Sequence, residues 1–192
     1  MELEKIKHNL TREQFLFFWE LQQILDVPLY FLGSIARSDF IKNKSDIDVE
    51  VFSDNITSIK MKILCIFNLN KNFTNYLVRT INNVPFSCIK YYLKDIKCNT
   101  AFDFSINPKC NQNIVLQYRY KQTNLPYSVI TFFNIIKFLH HQIGIIDTTM
   151  YIELKTKFWN YYIPELSPLV KMNELEYNTY YNQVYPNVEH LV

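Results

Sequence analysis

The stretch from Phe31 to Val51 constrains the fold of this chain more than any other. It reads as a strand, a tight Gly33-Ser34 turn, a short helix or loop, and a second strand through Asp46-Ile47-Asp48-Val49-Glu50-Val51. Residues i and i+2 of a strand share a face. Ile47, Val49 and Val51 therefore form an apolar row, and Asp46, Asp48 and Glu50 an acidic one. The apolar row must bury against helices, which leaves the acids facing a cleft. Neighbouring carboxylates repel unless a cation or a proton sits between them. A divalent ion resolves this, because Mg²⁺ takes one or two carboxylates together with substrate phosphates. Gly33 is one of only two glycines in the chain. A glycine beside a strand end marks a backbone position that turns sharply and lies close to another group. Backbone N–H groups of such a turn, with the Ser34 hydroxyl, suit phosphate oxygens. Phosphates at the turn and a metal at the acids together describe a nucleoside triphosphate with its Mg²⁺.

Leu32-Gly33-Ser34, eleven intervening residues, then Asp46-Ile47-Asp48-Val49 resembles the signature of the DNA polymerase β-type nucleotidyltransferase superfamily. Arg37 and Ser45 extend the likeness, since many members read Gly-Ser-x-x-Arg and Ser-Asp-x-Asp; many also carry Gly where this chain has Ser38. The resemblance implies an α/β (α+β) core, a mixed β-sheet with flanking helices, followed by a small helical domain. It implies Gly33, Ser34 and Arg37 as nucleotide-binding residues, and Asp46 and Asp48 as catalytic metal ligands. The segment 100–106 alternates again, with Phe102, Phe104 and Ile106 on one face and Ala101, Asp103 and Ser105 on the other. By the resemblance, Asp103 is the third catalytic carboxylate. Two Mg²⁺ (or Mn²⁺) ions ~3.5–4 Å apart need such a bridging set.

Around this stretch the chain carries ordinary folding signals. Residues 11–25 read as a helix whose capping box is Thr11 with Gln14, and whose packed face is Phe15, Phe18, Trp19 and Leu25. A second helix runs from about 54 to 67, with Ile59, Ile63 and Ile66 inward. Strands at 76–81 and 86–93 form a hairpin through Asn82-Asn83. Residues 125–144 read as a helix with Pro126 in its first turn and Gly144 as its stop. Val129, Phe132, Phe133, Ile136 and Leu139 make its buried stripe, and Asn134, Lys137 and His141 another face. This helix resembles one in poly(A) polymerases and terminal uridylyltransferases that ends before a Gly-Ile pair and carries a triphosphate-binding lysine; Lys137 holds that place. His140 and His141 point about 100° apart on a helix and read as structural. The tyrosines beyond residue 147 read as packing for helices over 149–162 and 166–181, with base stacking as the alternative.

Composition matters at three points. A net charge of +2 lacks the basic excess of a protein gripping duplex DNA through its phosphates. Four widely spaced cysteines suit neither zinc knuckles nor a secreted disulfide framework, so free thiols are expected. No apolar run approaches ~18 residues, so no membrane partner is expected, and the localisation read from the sequence is intracellular and cytoplasmic.

The expected organisation is a catalytic core over 1–118 and a helical domain over 119–192 closing the nucleotide cleft. The expected activity is transfer of a nucleoside monophosphate from a triphosphate such as ATP to an acceptor hydroxyl, an RNA 3′-end above all, with a protein partner allowed. Small-molecule or protein nucleotidyltransferases, a compact DNA polymerase X-like enzyme and an inactive nucleotide-binding subunit share the same residues and stay open.

Overall fold

The computed structural model describes residues 1–42, 44–81, 83–95, 100–162 and 169–186. The elements in chain order are α1 (Leu3–Ile6), α2 (Arg12–Leu25), β1 (Tyr30–Leu32), β2 (Ile47–Ser53), α3 (Ile56–Ile66), β3 (Asn75–Ile81) and β4 (Val84–Asp95). They continue with β5 (Thr100–Pro108), α4 (Gln112–Thr123), α5 (Tyr127–Phe138), α6 (Thr148–Tyr162), β6 (Val170–Met172) and α7 (Glu174–Val184). The strands form one mixed sheet in the order β1-β2-β5-β4-β3-β6, in which β2 and β5 run parallel and every other pair is antiparallel. Helices flank it, as the sequence led one to expect.

Strand alternation divides the sheet into two unlike faces. Ile47, Val49, Val51, Phe102, Phe104, Ile106, Ile89, Tyr91 and Val78 point to the larger core, which α2, α3 and α7 cover. Thr11 and Gln14 cap α2 reciprocally. Gln14 is itself buried, with its amide donating to Thr100 Oγ1 at 2.8 Å. That contact turns the helix so that Phe18, Leu21 and Leu25 face inward. Trp19, expected inside, is 48% exposed. Ile66 likewise stays outside and Leu64 takes its place. The opposite face carries a smaller apolar cluster, Phe52, Leu77, Ile81, Phe86 and Cys88, beneath Val115 and Tyr118 of α4. Beside that cluster lie the polar residues considered below.

Asn83 takes the positive φ of the hairpin turn (φ 62), which asparagine tolerates better than most residues; Asn82 lies outside the described residues. Helix α5 follows Pro126, widens into a π-turn over Leu139–Ile143, and stops at Gly144 with φ +72. It packs on α6 through Val129, Phe133 and Ile136 against Phe158 and Trp159. The helix expected over 166–181 is corrected by the structure. Val170–Met172 is a strand pairing antiparallel with β3, and the helix runs over Glu174–Val184, capped by Asn173 and Glu176; residues 166–168 lie outside the described residues. A three-residue strand carries too little alternation to announce itself. Tyr177, Tyr181 and Tyr185 are buried against the core face, so α7 and the turn after it pack on the sheet. Of the cysteines, Cys65, Cys88 and Cys110 are free thiols; Cys98 lies outside the described residues. Among the described residues no helix is long and apolar enough to cross a membrane.

Candidate active site

Three adjacent strands assemble the acids. Leu32, the last residue of β1, lies opposite Asp48 of β2, and Asp48 lies opposite Asp103 of β5 in parallel register. Side chains opposite one another in a sheet share a face, about 4.8 Å from strand to strand. Asp103 is thus on the same face as Asp48, as the alternation required. Asp46 stands one residue before β2. Its carboxyl is pushed above the usual range, first by burial in the cleft and then by the charges of Asp103 and Asp48. Glu50, next in the acidic row, is withdrawn from the group. It is buried, accepts from Arg119 Nη2 at 2.5 Å and from Asn107 Nδ2 at 2.6 Å, and serves as an internal ion pair.

Gly33 begins a four-residue 3₁₀ turn through Ala36, with φ +71. The turn is held by Arg37 N–H donating to Ser34 O and by Asn9 Nδ2 donating to Ile35 O. A Cβ at Gly33 would collide with Oδ2 of Asp48. The absence of a side chain here therefore makes room for the Asp48 carboxylate, and the turn and the acids are fitted to each other.

Beyond the turn lies a buried charge cluster that sequence reasoning did not find. Asp39 accepts from Arg37 Nε at 2.7 Å and Nη2 at 3.0 Å, and from Lys137 Nζ at 2.8 Å. Lys137 also donates to the Asp39 carbonyl at 2.6 Å, and Arg37 to Gln122 O at 2.9 Å. Burial pushes the Asp39 carboxyl up, but Arg37 and Lys137 outweigh it and hold it below the usual range. Burial lowers the Lys137 ammonium despite Asp39. Arg37 lies about 6 Å from the rings of Phe133 and Trp159, which ties the turn to α5 and α6. The only advance signal for Asp39 was its place two residues after Arg37.

The acids, the turn and this cluster line one cleft of about 700 Å³ between the sheet and the α5–α6 pair. Gly33, Ser34, Arg37, Asp46, Asp48, Asp103 and Lys137, all singled out from the sequence, border it. Asn134, expected on the same face as Lys137, is exposed, whereas Lys137 is buried. His140 donates from Nδ1 to Ile146 O (3.0 Å) and stacks on Tyr151, which agrees with a structural role. Lys90 of β4 was missed. Its ammonium lies 2.8 Å from Asp103, and although burial acts to lower it, Asp103 raises it on balance. Strand alternation places Lys90 on the acidic face, but no motif marks it.

Carboxylates from neighbouring strands are the hard oxygen donors that Mg²⁺ takes, and the raised Asp46 carboxyl marks a spot where positive charge would relieve repulsion. Among the described residues, however, no group of three or more His, Cys, Asp and Glu side chains is set as a metal cluster. Asp103 is turned to Lys90. The donor set fits a divalent ion in kind, with Lys90 as its competitor at Asp103.

Comparison with known proteins returned one likeness of note. A chain from the "structure of GLD-2/RNP-8 complex" is similar at 15% identity and a TM-score of 0.37, over 96% of this chain and 66% of that chain. This chain thus spans just under two-thirds of the other's length. No protein-family model and no curated protein matched.

Proposed function

We propose that this chain is a metal-dependent nucleotidyltransferase that moves a nucleoside monophosphate from a triphosphate to an acceptor hydroxyl, with an RNA 3′-end as the acceptor. The observation that carries this reading is the register of Asp48 opposite Asp103, on one face with Asp46 and with the Asp48 carboxylate set where a side chain at Gly33 would lie. The resemblance of the same residues to the polymerase β-type signature points the same way.

In this reading the triphosphate lies along the Gly33-Ser34 turn, where backbone N–H groups and the Ser34 hydroxyl receive phosphate oxygens. Arg37 and Lys137 supply positive charge at its far end, shared with Asp39. The core comprises the sheet with α1–α4 and α7, and α5 and α6 close over the nucleotide. Two Mg²⁺ or Mn²⁺ ions, held by Asp46, Asp48 and Asp103, would neutralise the phosphates and lower the pKa of the acceptor hydroxyl. The acceptor oxygen attacks the α-phosphorus in line, the bond to the β-phosphate oxygen breaks, and pyrophosphate leaves. Asp103 takes the acceptor proton or passes it to water, and Lys90 fixes the orientation of that carboxylate.

Asp46→Ala and Asp48→Ala test this directly. Each is expected to abolish transfer from labelled triphosphates to a short RNA in Mg²⁺ or Mn²⁺, and to abolish metal-dependent triphosphate binding, while unfolding cooperatively. Retained transfer in either variant overturns the assignment. The Lys90–Asp103 ion pair favours a second reading, nucleotide binding without transfer. Tight metal–nucleotide binding with no transfer to any acceptor would select it.

A further inference from the structure

A second cavity, of about 390 Å³, opens from the cleft along the same face of the sheet. It shares Asp48, Asp103, Lys90 and Arg119 with the cleft, then runs between the sheet and α4 past Cys88 to Arg79 of β3. Four cations near the acids are matched, while Lys155 of α6, which also lines both cavities, is exposed to solvent. Lys90 faces Asp103, Arg119 faces Glu50, and Arg37 and Lys137 share Asp39. Arg79 is different. Its Nε is buried with no hydrogen-bond partner, and the carboxylate whose charge reaches it, Glu50, is already paired with Arg119. A buried N–H without an acceptor is costly, and the cost is relieved when an anionic ligand arrives.

We propose that this cavity seats the acceptor strand, and that Arg79 is the counter-ion for a backbone phosphate set several nucleotides behind the reacting hydroxyl. This rests on the nucleotidyltransferase reading and names its acceptor as single-stranded nucleic acid. The sheet supplies the length argument. Asp103 lies opposite Tyr92 on β4, and Arg79 opposite Phe86 on the same strand. Six residues along β4 and two strands across place the two Cα atoms on the order of 20 Å apart. A small phosphorylated alcohol cannot put its hydroxyl at Asp103 and its anion at Arg79. A strand that advances ~3.4 Å per nucleotide along its axis when stacked, and more when extended, covers the span with several nucleotides. Four basic side chains against three carboxylates in the cavity wall leave it net positive, as a polyanion requires.

The test uses the full chain with fluorescently labelled single strands of two and six nucleotides, read by anisotropy over a salt series, beside inorganic phosphate as competitor. Arg79→Gln is expected to weaken the six-nucleotide strand about tenfold and to lower its salt slope by about 0.7. The two-nucleotide strand should bind as before. Because Arg79 has no internal partner, Arg79→Gln is also expected to keep the urea midpoint of the unaltered chain, and Arg79→Lys to recover part of the lost affinity. Equal weakening of both strands, or competition by inorganic phosphate that vanishes in Arg79→Gln, makes this a compact-phosphate site and overturns the strand. No change in either strand removes Arg79 from binding. Triphosphate binding by the unaltered chain is measured alongside. Its failure, with the length contrast intact, counts against the transferase reading and leaves the Arg79 subsite standing.

Discussion

Replacing Gly33 by alanine isolates the fit between the turn and the acids, because the second glycine provides its control. Both glycines have almost the same backbone, φ +71 at Gly33 and +72 at Gly144. Alanine in that left-handed region costs ~1–2 kcal/mol. At Gly144 a new Cβ meets nothing within 4 Å, whereas at Gly33 it collides with Asp48 Oδ2. The obstacle is the tip of a side chain, so Asp48 swings off its preferred rotamer for ~0.5–1.5 kcal/mol. Gly144→Ala should therefore lose ~1–2 kcal/mol in urea unfolding and Gly33→Ala roughly 2–3 kcal/mol. Both lie within the 5–15 kcal/mol typical of a folded domain. The functional losses should diverge much more, because a misplacement of ~1 Å at a reacting group costs ~10²-fold. Metal-dependent triphosphate binding and transfer should fail in Gly33→Ala and survive in Gly144→Ala. If the two variants retain binding and transfer equally, the contact between Gly33 and Asp48 has no part in the site.

Other outcomes follow from the charges. Asp39→Ala leaves Arg37 and Lys137 buried without their anion and should cost ~3–5 kcal/mol in urea unfolding. Since the Asp39 carboxyl is held below its usual range, the unaltered chain should lose that contribution as the pH falls below about 4, a loss absent from Asp39→Ala. Asp46 has the opposite sign. Its carboxyl is raised, so its ionisation works against the native state and its share of stability improves as the pH falls through that raised value. Asp46→Asn should melt at or above the unaltered temperature at pH 7 while losing metal-dependent nucleotide binding. Thr11→Ala removes one half of the α2 capping box and should cost about 1 kcal/mol by urea denaturation, with no effect on nucleotide binding.

Local alternation made the acids legible. Ile47, Val49 and Val51 against Asp48, and Phe102, Phe104 and Ile106 against Asp103, state which side of each strand is buried, and the capping box of α2 is written in Thr11 and Gln14. The pairing of those two strands is not local, since 55 residues separate Asp48 from Asp103 in the chain. Only the motif likeness joined them in advance. Asp39 and Lys137 are 98 residues apart; the motif likeness singled out Lys137 as a triphosphate-binding lysine, but no local pattern announced Asp39 as its buried partner. Lys90 sits in a strand otherwise rich in apolar residues, where one lysine has no distinguishing pattern. Strand β6 failed for a different reason. A three-residue edge strand is defined by its neighbour β3, and its own residues do not specify it.

That short strand changes the mechanics of the molecule. After leaving the sheet at α4 the chain makes its excursion through α5 and α6, then comes back to the opposite margin of the sheet at β6 and locks there through Tyr177, Tyr181 and Tyr185. The helical pair is a loop stapled at two distant points, and neither staple is a free end. Any movement of α5 and α6 is thus tethered on both sides, at α4 and at β6. Cutting the chain ahead of β6 would do more than shorten a tail. It would bare the β3 margin and strip three rings from the main core, so the piece that looks dispensable is part of the foundation.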